Sequence, residues 1–127
     1  MKPLSLVIPL YNEKGSLAEL YREIVRELGS LGSDLEIVFV DDGSNDGSLE
    51  TLQAIQASDR RVKIIRLRRN FGKSAALSAG FRLAKGEVIV TLDADLQDLP
   101  GEIHKLLERL EQGCDLVSGW KRRRKDS

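Results

Sequence analysis

Residues 4–28, LSLVIPLYNEKGSLAELYREIVREL, contain the two patterns that decide the fold. An apolar run at residues 4–8 ends at Pro9 and predicts a strand. Ser16 and Glu19 have the spacing of a capping box, which predicts that a helix begins there. The apolar positions that follow recur at helical spacing, at Leu17, Leu20, Ile24 and Leu28. A strand followed directly by a helix is the unit from which parallel sheets are built.

The same alternation continues along the chain. Further strands are predicted at residues 35–40, 62–67 and 88–92, with a fifth beginning at residues 116–118. The stripes of three more helices include Leu49, Leu52 and Ile55, then residues 74–85, then Ile103, Leu106, Leu107 and Leu110. Continuous Val, Ile and Leu runs indicate strands buried on both faces. The sequence therefore predicts an α/β fold with a mostly parallel sheet.

Composition excludes several classes of protein. The 127 residues fit one domain, and 20 basic residues balance 20 acidic ones, so no global charge attracts nucleic acid. No apolar run approaches the roughly 20 residues of a membrane span. The single Cys114 suits a reducing compartment, and one Cys with one His excludes a structural zinc site. We expect a cytoplasmic protein without a nucleic-acid partner.

The last residues differ in composition from the rest. We divide the chain into a domain, residues 1–119, and a basic tail, residues 120–127, WKRRRKDS, where we expect a longer parent sequence to be truncated. The basic run 121–125 could contact a phosphorylated lipid or a membrane surface, or remain solvated. A cut sheet edge near Leu116 and Val117 predicts self-association.

Polar segments follow each predicted strand, where ligands of parallel sheets bind. Asp93 and Asp95 come directly after a buried strand, and carboxylates at this spacing can chelate one hard cation. Gln97 offers a third oxygen, and oxygen ligands suit Mg²⁺ or Mn²⁺. The alternative is that Asp95 and Asp98 are turn and helix-cap residues.

Two further segments have competing interpretations. Asp41 and Asp42 open a DDGS turn that could cap the second helix, or accept hydrogen bonds from a base or ribose. An EF-hand beginning at Asp42 is excluded because Gln53 occupies the position that requires a bidentate Glu.

Lys73 lies at a strand-to-helix junction and could contact a phosphate. The sequence contains no GxxxxGK[ST], GxGxxG or GxSxG pattern.

Taken together, five segments resemble family 2 glycosyltransferases of the GT-A fold, above all the polyprenyl- and dolichyl-phosphate sugar transferases. In chain order these are VIPLYNE (7–13), VDDGSNDGS (40–48), RNFGKSAALSAGF (69–81), DADLQDLP (93–100) and VSGWK (117–121). The resemblance implies a Rossmann-like, GT-A nucleotide-sugar-binding three-layer sandwich. It covers only the N-terminal, donor-binding part of such enzymes, so the fold is expected to be truncated.

The resemblance also assigns residues to roles. The nucleotide-sugar-binding positions that it implies, with Lys73 added, are Pro9, Tyr11, Glu13, Val40, Asp42, Asp93, Ala94, Asp95 and Lys121. The metal ligands that it implies are Asp93, Asp95 and Gln97, and Asp95 is assigned the catalytic role. Lys121 stands where the family often has Arg near the phosphates, and a lysine lacks the bidentate geometry of arginine.

The implied activity is transfer of a sugar, with inversion, from a UDP- or GDP-linked donor to an acceptor. A Mg²⁺ or Mn²⁺ ion would assist, and a polyprenyl phosphate is the expected acceptor, which would place the protein at the cytoplasmic face of the membrane. One alternative is a module that binds nucleoside diphosphate and metal without transferring a sugar. Another is a small Rossmann-like protein that binds a different phosphate ligand, or serves as a scaffold alone.

Overall fold

Strands and helices alternate along the residues that the computed structural model describes, which are 3–95, 104–106, 108–109 and 120–122. The strands are β1 (Leu4–Leu10), β2 (Leu35–Asp41), β3 (Val62–Arg66), β4 (Val88–Thr91) and β5 (Trp120–Arg122). The helices are α1 (Lys14–Leu28), α2 (Ser48–Ser58) and α3 (Lys73–Leu83), with a 3₁₀ helix at Gly29–Asp34. Residues 104–106 and 108–109 are also helical.

The strands form one sheet in the order β3-β2-β1-β4-β5. The first four are parallel: in β1, Val7 pairs with Val38 of β2 on one side and with Thr91 of β4 on the other. Strand β5 runs antiparallel to β4. The prediction of an α/β fold with a mostly parallel sheet is therefore confirmed.

Helices cover both faces of this sheet, so the domain has three layers. On one face, side chains of α1 pack with alternate residues of β1 and β2, such as Leu6, Ile8 and Phe39. On the other face, Val7, Val38 and Val40 pack with Ala76 of α3. Because successive residues of a strand point to opposite faces, strands covered on both sides are apolar throughout.

Two elements begin elsewhere than the sequence suggests. Helix α1 begins at Lys14, so Ser16 lies inside its first turn and the predicted capping box with Glu19 is wrong. The Ser16 hydroxyl instead donates to the carbonyl oxygen of Glu13, at 3.1 Å. Residues 120–122, assigned to the basic tail, form β5 against β4.

The other features expected near the end of the chain lie outside the described residues. These are the fifth strand beginning at residues 116–118 and the apolar edge at Leu116 and Val117, so self-association stays a prediction. Within the described part of the chain, no helix has both the length and the apolar character needed to cross a bilayer.

Candidate functional site

A cavity of about 390 Å³ opens where the parallel strands end. Segments that follow β1, β2 and β4 contribute to it, together with the loop between β3 and α3. Its lining residues are Pro9, Leu10, Tyr11, Glu13, Asp42, Asn70, Gly72, Lys73, Asp93, Ala94 and Asp95. This is the edge of a parallel sheet at which ligands bind, and the volume falls in the range of small-molecule sites.

The acidic part of the cavity follows β4. Asp93, Ala94 and Asp95 all line the cavity, and of the three Ala94 is buried, at 8% exposure. The Lys73 ammonium contacts Asp93, with Nζ 2.7 Å from Oδ1, and both side chains are about half exposed (62% for Lys73, 48% for Asp93). The cavity therefore already holds a cation, a side-chain ammonium, against one of the two carboxylates.

These carboxylates suit a hard divalent cation. Mg²⁺ is typically held by one or two carboxylates, with water and substrate phosphates completing its shell. Among the described residues, no group of three or more His, Cys, Asp and Glu side chains is arranged to hold a metal ion. Gln97, the predicted third ligand, lies outside the described residues. Asp93 and Asp95 are the two predicted ligands that lie within the described part of the site, and both line the cavity.

Asp42 connects two loops of the site. Its carboxylate is 4% exposed, and Oδ1 accepts a hydrogen bond from the Phe71 amide at 2.8 Å while Oδ2 accepts one from the Gly72 amide at 3.0 Å. Both bonds cross from the end of β2 to the loop between β3 and α3. The carboxylate therefore fixes the loop that carries Lys73 into the cavity. Asp42 also lines the cavity, as the resemblance implies.

Asp41 belongs to the turn rather than to the cavity lining. It is fully buried, and its Oδ1 accepts a hydrogen bond from the Ser44 amide at 2.9 Å, which supports the turn interpretation of the DDGS segment. At the start of α2 it is Asp46, not Asp41, that accepts a backbone hydrogen bond: the Ser48 amide donates to Asp46 Oδ1 at 3.0 Å. The hydroxyl of Ser48 also donates to Asp46 and lowers its pKa.

The loop after β1 is fixed to this turn. Asn12 has a left-handed backbone, with φ of 54°, and its amide donates to Ser44 Oγ at 2.8 Å. The Asn12 side-chain oxygen accepts a hydrogen bond from the Asn45 amide at 2.9 Å. These contacts leave the neighbouring Tyr11 with its side chain at the cavity and 44% exposed. An exposed aromatic ring at a cavity is suited to stacking on a planar ligand.

The cavity brings together seven of the residues predicted to bind the nucleotide sugar, and Lys73 makes eight. Those seven are Pro9, Tyr11, Glu13, Asp42, Asp93, Ala94 and Asp95. The structure places Val40 elsewhere: its side chain is fully buried in the core against α3, because the residues of β2 alternate between faces. Lys121 lies in β5, paired with Ile89 of β4, and its side chain lies outside the described part of the structure.

Sequence reasoning missed Asn70 and Gly72, which also line the cavity. In their segment, RNFGKS, the sequence predicts a role for Lys73 alone. Gly72 has φ of 104°, a backbone conformation that favours glycine. A glycine between a predicted strand and a predicted helix is the signal that could have marked this loop.

Comparison with known proteins defines the class. The model of glycosyl transferase family 2 matches residues 5–127. The chain belongs to this family and is a glycosyltransferase sequence, which confirms the resemblance seen in its five segments.

Within this family, the chain is similar to sugar transferases whose names specify undecaprenyl phosphate. The chain is 48% identical over 133 aligned residues to the undecaprenyl-phosphate 4-deoxy-4-formamido-L-arabinose transferase of Pseudomonas paraeruginosa. The alignment covers 100% of this chain but 39% of that relative, so the chain spans about two fifths of its length.

Two solved structures share the fold. The mannosyltransferase PcManGT of Pyrobaculum calidifontis, in complex with GDP-Man and Mn²⁺, superposes with a TM-score of 0.71 at 25% identity. That comparison covers 83% of this chain and 31% of PcManGT. TarS of S. aureus in complex with UDP superposes with a TM-score of 0.66 at 26% identity, covering 75% of this chain and 28% of that chain. The Rossmann-like, GT-A three-layer architecture is thus confirmed.

Proposed function

We propose that this chain forms the donor site of a metal-dependent, inverting glycosyltransferase that moves a sugar from a nucleoside diphosphate to a polyprenyl phosphate. The observation that carries the proposal is the cavity at the carboxyl edge of the sheet, with Asp93, Asp95 and Lys73 on its lining. Two acids and one ammonium match the needs of a diphosphate bound with a cation. PcManGT and TarS, which share the fold, are complexes with GDP-Man and with UDP.

The remaining lining residues suit the nucleoside. The Tyr11 ring is exposed at the cavity and offers a face to the base, while Glu13 and Asp42 are hydrogen-bond acceptors nearby. The Asp42 oxygens already accept two backbone hydrogen bonds, and a carboxylate oxygen has a second lone pair for a ligand donor. Asp42 would therefore both position the loop and contact the nucleoside.

The reaction requires the nucleoside diphosphate to leave as an anion. A Mg²⁺ or Mn²⁺ ion bound by Asp93 and Asp95 would supply charge neutralisation to that leaving group. Lys73 adds a positive charge from the protein itself, and it is the first residue of α3, whose N-terminus carries a partial positive charge. Positive charge fixed before the reaction stabilises the charge that develops on the leaving oxygen.

The acceptor is inferred from the relative in Pseudomonas paraeruginosa, whose name specifies undecaprenyl phosphate. A phosphate monoester oxygen is already anionic at neutral pH, so it can attack the sugar carbon with little help from a base. Such a lipid resides in a membrane, and we place the reaction at the cytoplasmic face.

The test is calorimetric titration of UDP and of GDP, each with Mn²⁺ and with EDTA. Wild type should bind one of the two nucleotides in the presence of Mn²⁺, and EDTA or Asp95→Asn should weaken binding at least tenfold. The matched control is Asp34→Asn, which removes an exposed carboxylate outside the cavity. Absence of nucleotide binding, or binding that is indifferent to Asp95, contradicts the proposal.

The alternative is a binding module that holds the nucleotide and metal but transfers nothing. The lining residues described above suit a nucleotide and a cation, and a binding module requires no more than these. Incubation with labelled sugar nucleotides and undecaprenyl phosphate separates the two functions. Label that moves into the lipid fraction supports the transferase, and nucleotide binding without any transfer supports the module.

A further inference from the structure

The contact between Lys73 and Asp93 is the basis of a further inference, which rests on the proposed function. Nζ of Lys73 is 2.7 Å from Oδ1 of Asp93, and both residues line the cavity. Asp93 is also one of the two carboxylates available to a divalent cation. An ammonium and a metal ion would therefore claim the same oxygen.

The main chain of Lys73 is fixed although its side chain is exposed. The preceding amides of Phe71 and Gly72 donate to the Asp42 carboxylate, and α3 begins at Lys73. Helix α3 also lies close to the sheet, since a Cβ on Gly80 would be 2.4 Å from Cγ1 of Val7. Any movement of the ammonium is therefore a movement of the Lys73 side chain from a fixed position on the cavity lining.

The ion pair between Lys73 and Asp93 is weak enough for the lysine to leave Asp93 and bind another anion. Its side chains are 62% and 48% exposed, and exposed ion pairs contribute little to stability because water and salt compete with them. Two positive charges on one carboxylate repel each other at short distance. A diphosphate offers several anionic oxygens nearby, to which an ammonium can form charge-assisted hydrogen bonds.

We infer that Lys73 is an exchangeable counter-ion of the donor site. Without donor the Lys73 ammonium neutralises Asp93. With donor and metal bound, Asp93 would be a ligand of the metal and the Lys73 ammonium would pair with the diphosphate instead. Lys73 is thus a positioning and binding residue that couples the two ligands. Because nucleotide draws the ammonium away from Asp93, nucleotide should increase metal affinity, and metal should increase nucleotide affinity by the same factor.

The test uses Lys73→Met, which keeps the unbranched side chain up to its last atom but removes its charge. Electron paramagnetic resonance of free Mn²⁺ measures metal affinity without nucleotide, and calorimetry measures nucleotide affinity in saturating Mn²⁺. We expect Lys73→Met to bind Mn²⁺ alone roughly two- to fivefold more tightly, because a weak competing ion pair is gone. The same variant should bind the nucleoside diphosphate roughly tenfold more weakly.

Two further variants make the result specific. Lys85→Met removes an exposed lysine beyond the other end of α3, outside the cavity, and should match wild type in both measurements. Lys73→Arg keeps the positive charge and should bind Mn²⁺ alone no more tightly than wild type. Thermal unfolding monitored by circular dichroism confirms that each variant is folded, and Lys73→Gln replaces Lys73→Met if that variant is not.

The outcomes separate this inference from the proposed function. Tighter Mn²⁺ binding together with weaker nucleotide binding in Lys73→Met supports the exchange, and the reverse pair of changes, or tightening of both, overturns it. Wild-type binding of nucleotide and Mn²⁺, with either affinity unchanged in Lys73→Met or both weakened, overturns the exchange but leaves the proposed function standing. No nucleotide binding by any variant, wild type included, overturns both.

Discussion

The Asp42 carboxylate holds the β3–α3 loop in place. The substitution Asp42→Asn should weaken this attachment of the loop while keeping the size of the side chain. The amide has the same size as the carboxylate, but one of its two positions becomes an NH₂ group that cannot accept a hydrogen bond. Either the Phe71 amide, at 2.8 Å, or the Gly72 amide, at 3.0 Å, then faces another donor. The hydrogen bond that remains is made to a neutral amide oxygen instead of a charged carboxylate, so it is weaker.

The expected cost follows from these two bonds. A hydrogen bond to a charged group contributes roughly 1.5–3 kcal/mol net, and a buried donor without a partner costs a further 1–3 kcal/mol. Asp42 is 4% exposed, so water does not replace the lost acceptor. We expect the free energy of unfolding to fall by about 3 kcal/mol, which most small domains survive.

Urea denaturation followed by circular dichroism measures this change, with Asp34→Asn as the matched control at an exposed carboxylate. Nucleotide affinity should also fall in Asp42→Asn and not in the control, because Asp42 holds the loop that carries Asn70, Gly72 and Lys73 and is itself proposed to contact the nucleoside. The unfolding free energy is therefore the measurement that isolates the support of the loop. An unfolding free energy within about 0.5 kcal/mol of wild type would refute the role of Asp42 as the loop's support.

Two other perturbations test the framework. The pKa of Asp59 is lowered from 3.8 to about 2, chiefly by its hydrogen bond to the Arg61 guanidinium. The ionised carboxylate therefore adds about 2 kcal/mol to the free energy of unfolding above pH 4. That contribution is lost as pH falls toward 2. At pH 7, Asp59→Asn should therefore have a free energy of unfolding lower by this amount, and its stability should not show this loss at acid pH. An unchanged urea midpoint at pH 7 would contradict the prediction. Gly43→Ala should lose about 3 kcal/mol, because φ is 77° and the added Cβ would lie 2.3 Å from the carbonyl carbon of Arg69. Gly15→Ala, with no atom within 4 Å of the added Cβ, is its control in the same urea titration, and equal midpoints for the two variants would refute the close loop contact.

The fold was predictable because its signals are local. Apolar runs marked β1 and β2, and the stripe of Leu17, Leu20 and Ile24 marked α1, all of which the structure buries. The exact start of α1 was not predictable from Ser16, since Glu13 takes the position before the helix.

The parts of the site that sequence reasoning missed depend on contacts between distant segments. Asp42 meets the amides of Phe71 and Gly72 across about 30 residues of chain, and no local pattern encodes that pairing. The resemblance places Val40 at the nucleotide, and its position on β2 buries its side chain in the core, so its role in nucleotide binding stays a prediction. Strand β5 pairs residues of a basic segment with β4, and that segment has no apolar run to mark a strand.

The central claim is that Asp93 and Asp95 hold a divalent cation beside a nucleoside diphosphate in this cavity. A crystal structure of the chain grown with Mn²⁺ and the nucleotide that binds it, with anomalous data collected at the manganese edge, tests this directly. We predict an anomalous peak in contact with both carboxylates, and Lys73 Nζ on the diphosphate rather than on Asp93. A nucleotide bound with no manganese at these carboxylates, or bound outside the cavity, would contradict the account.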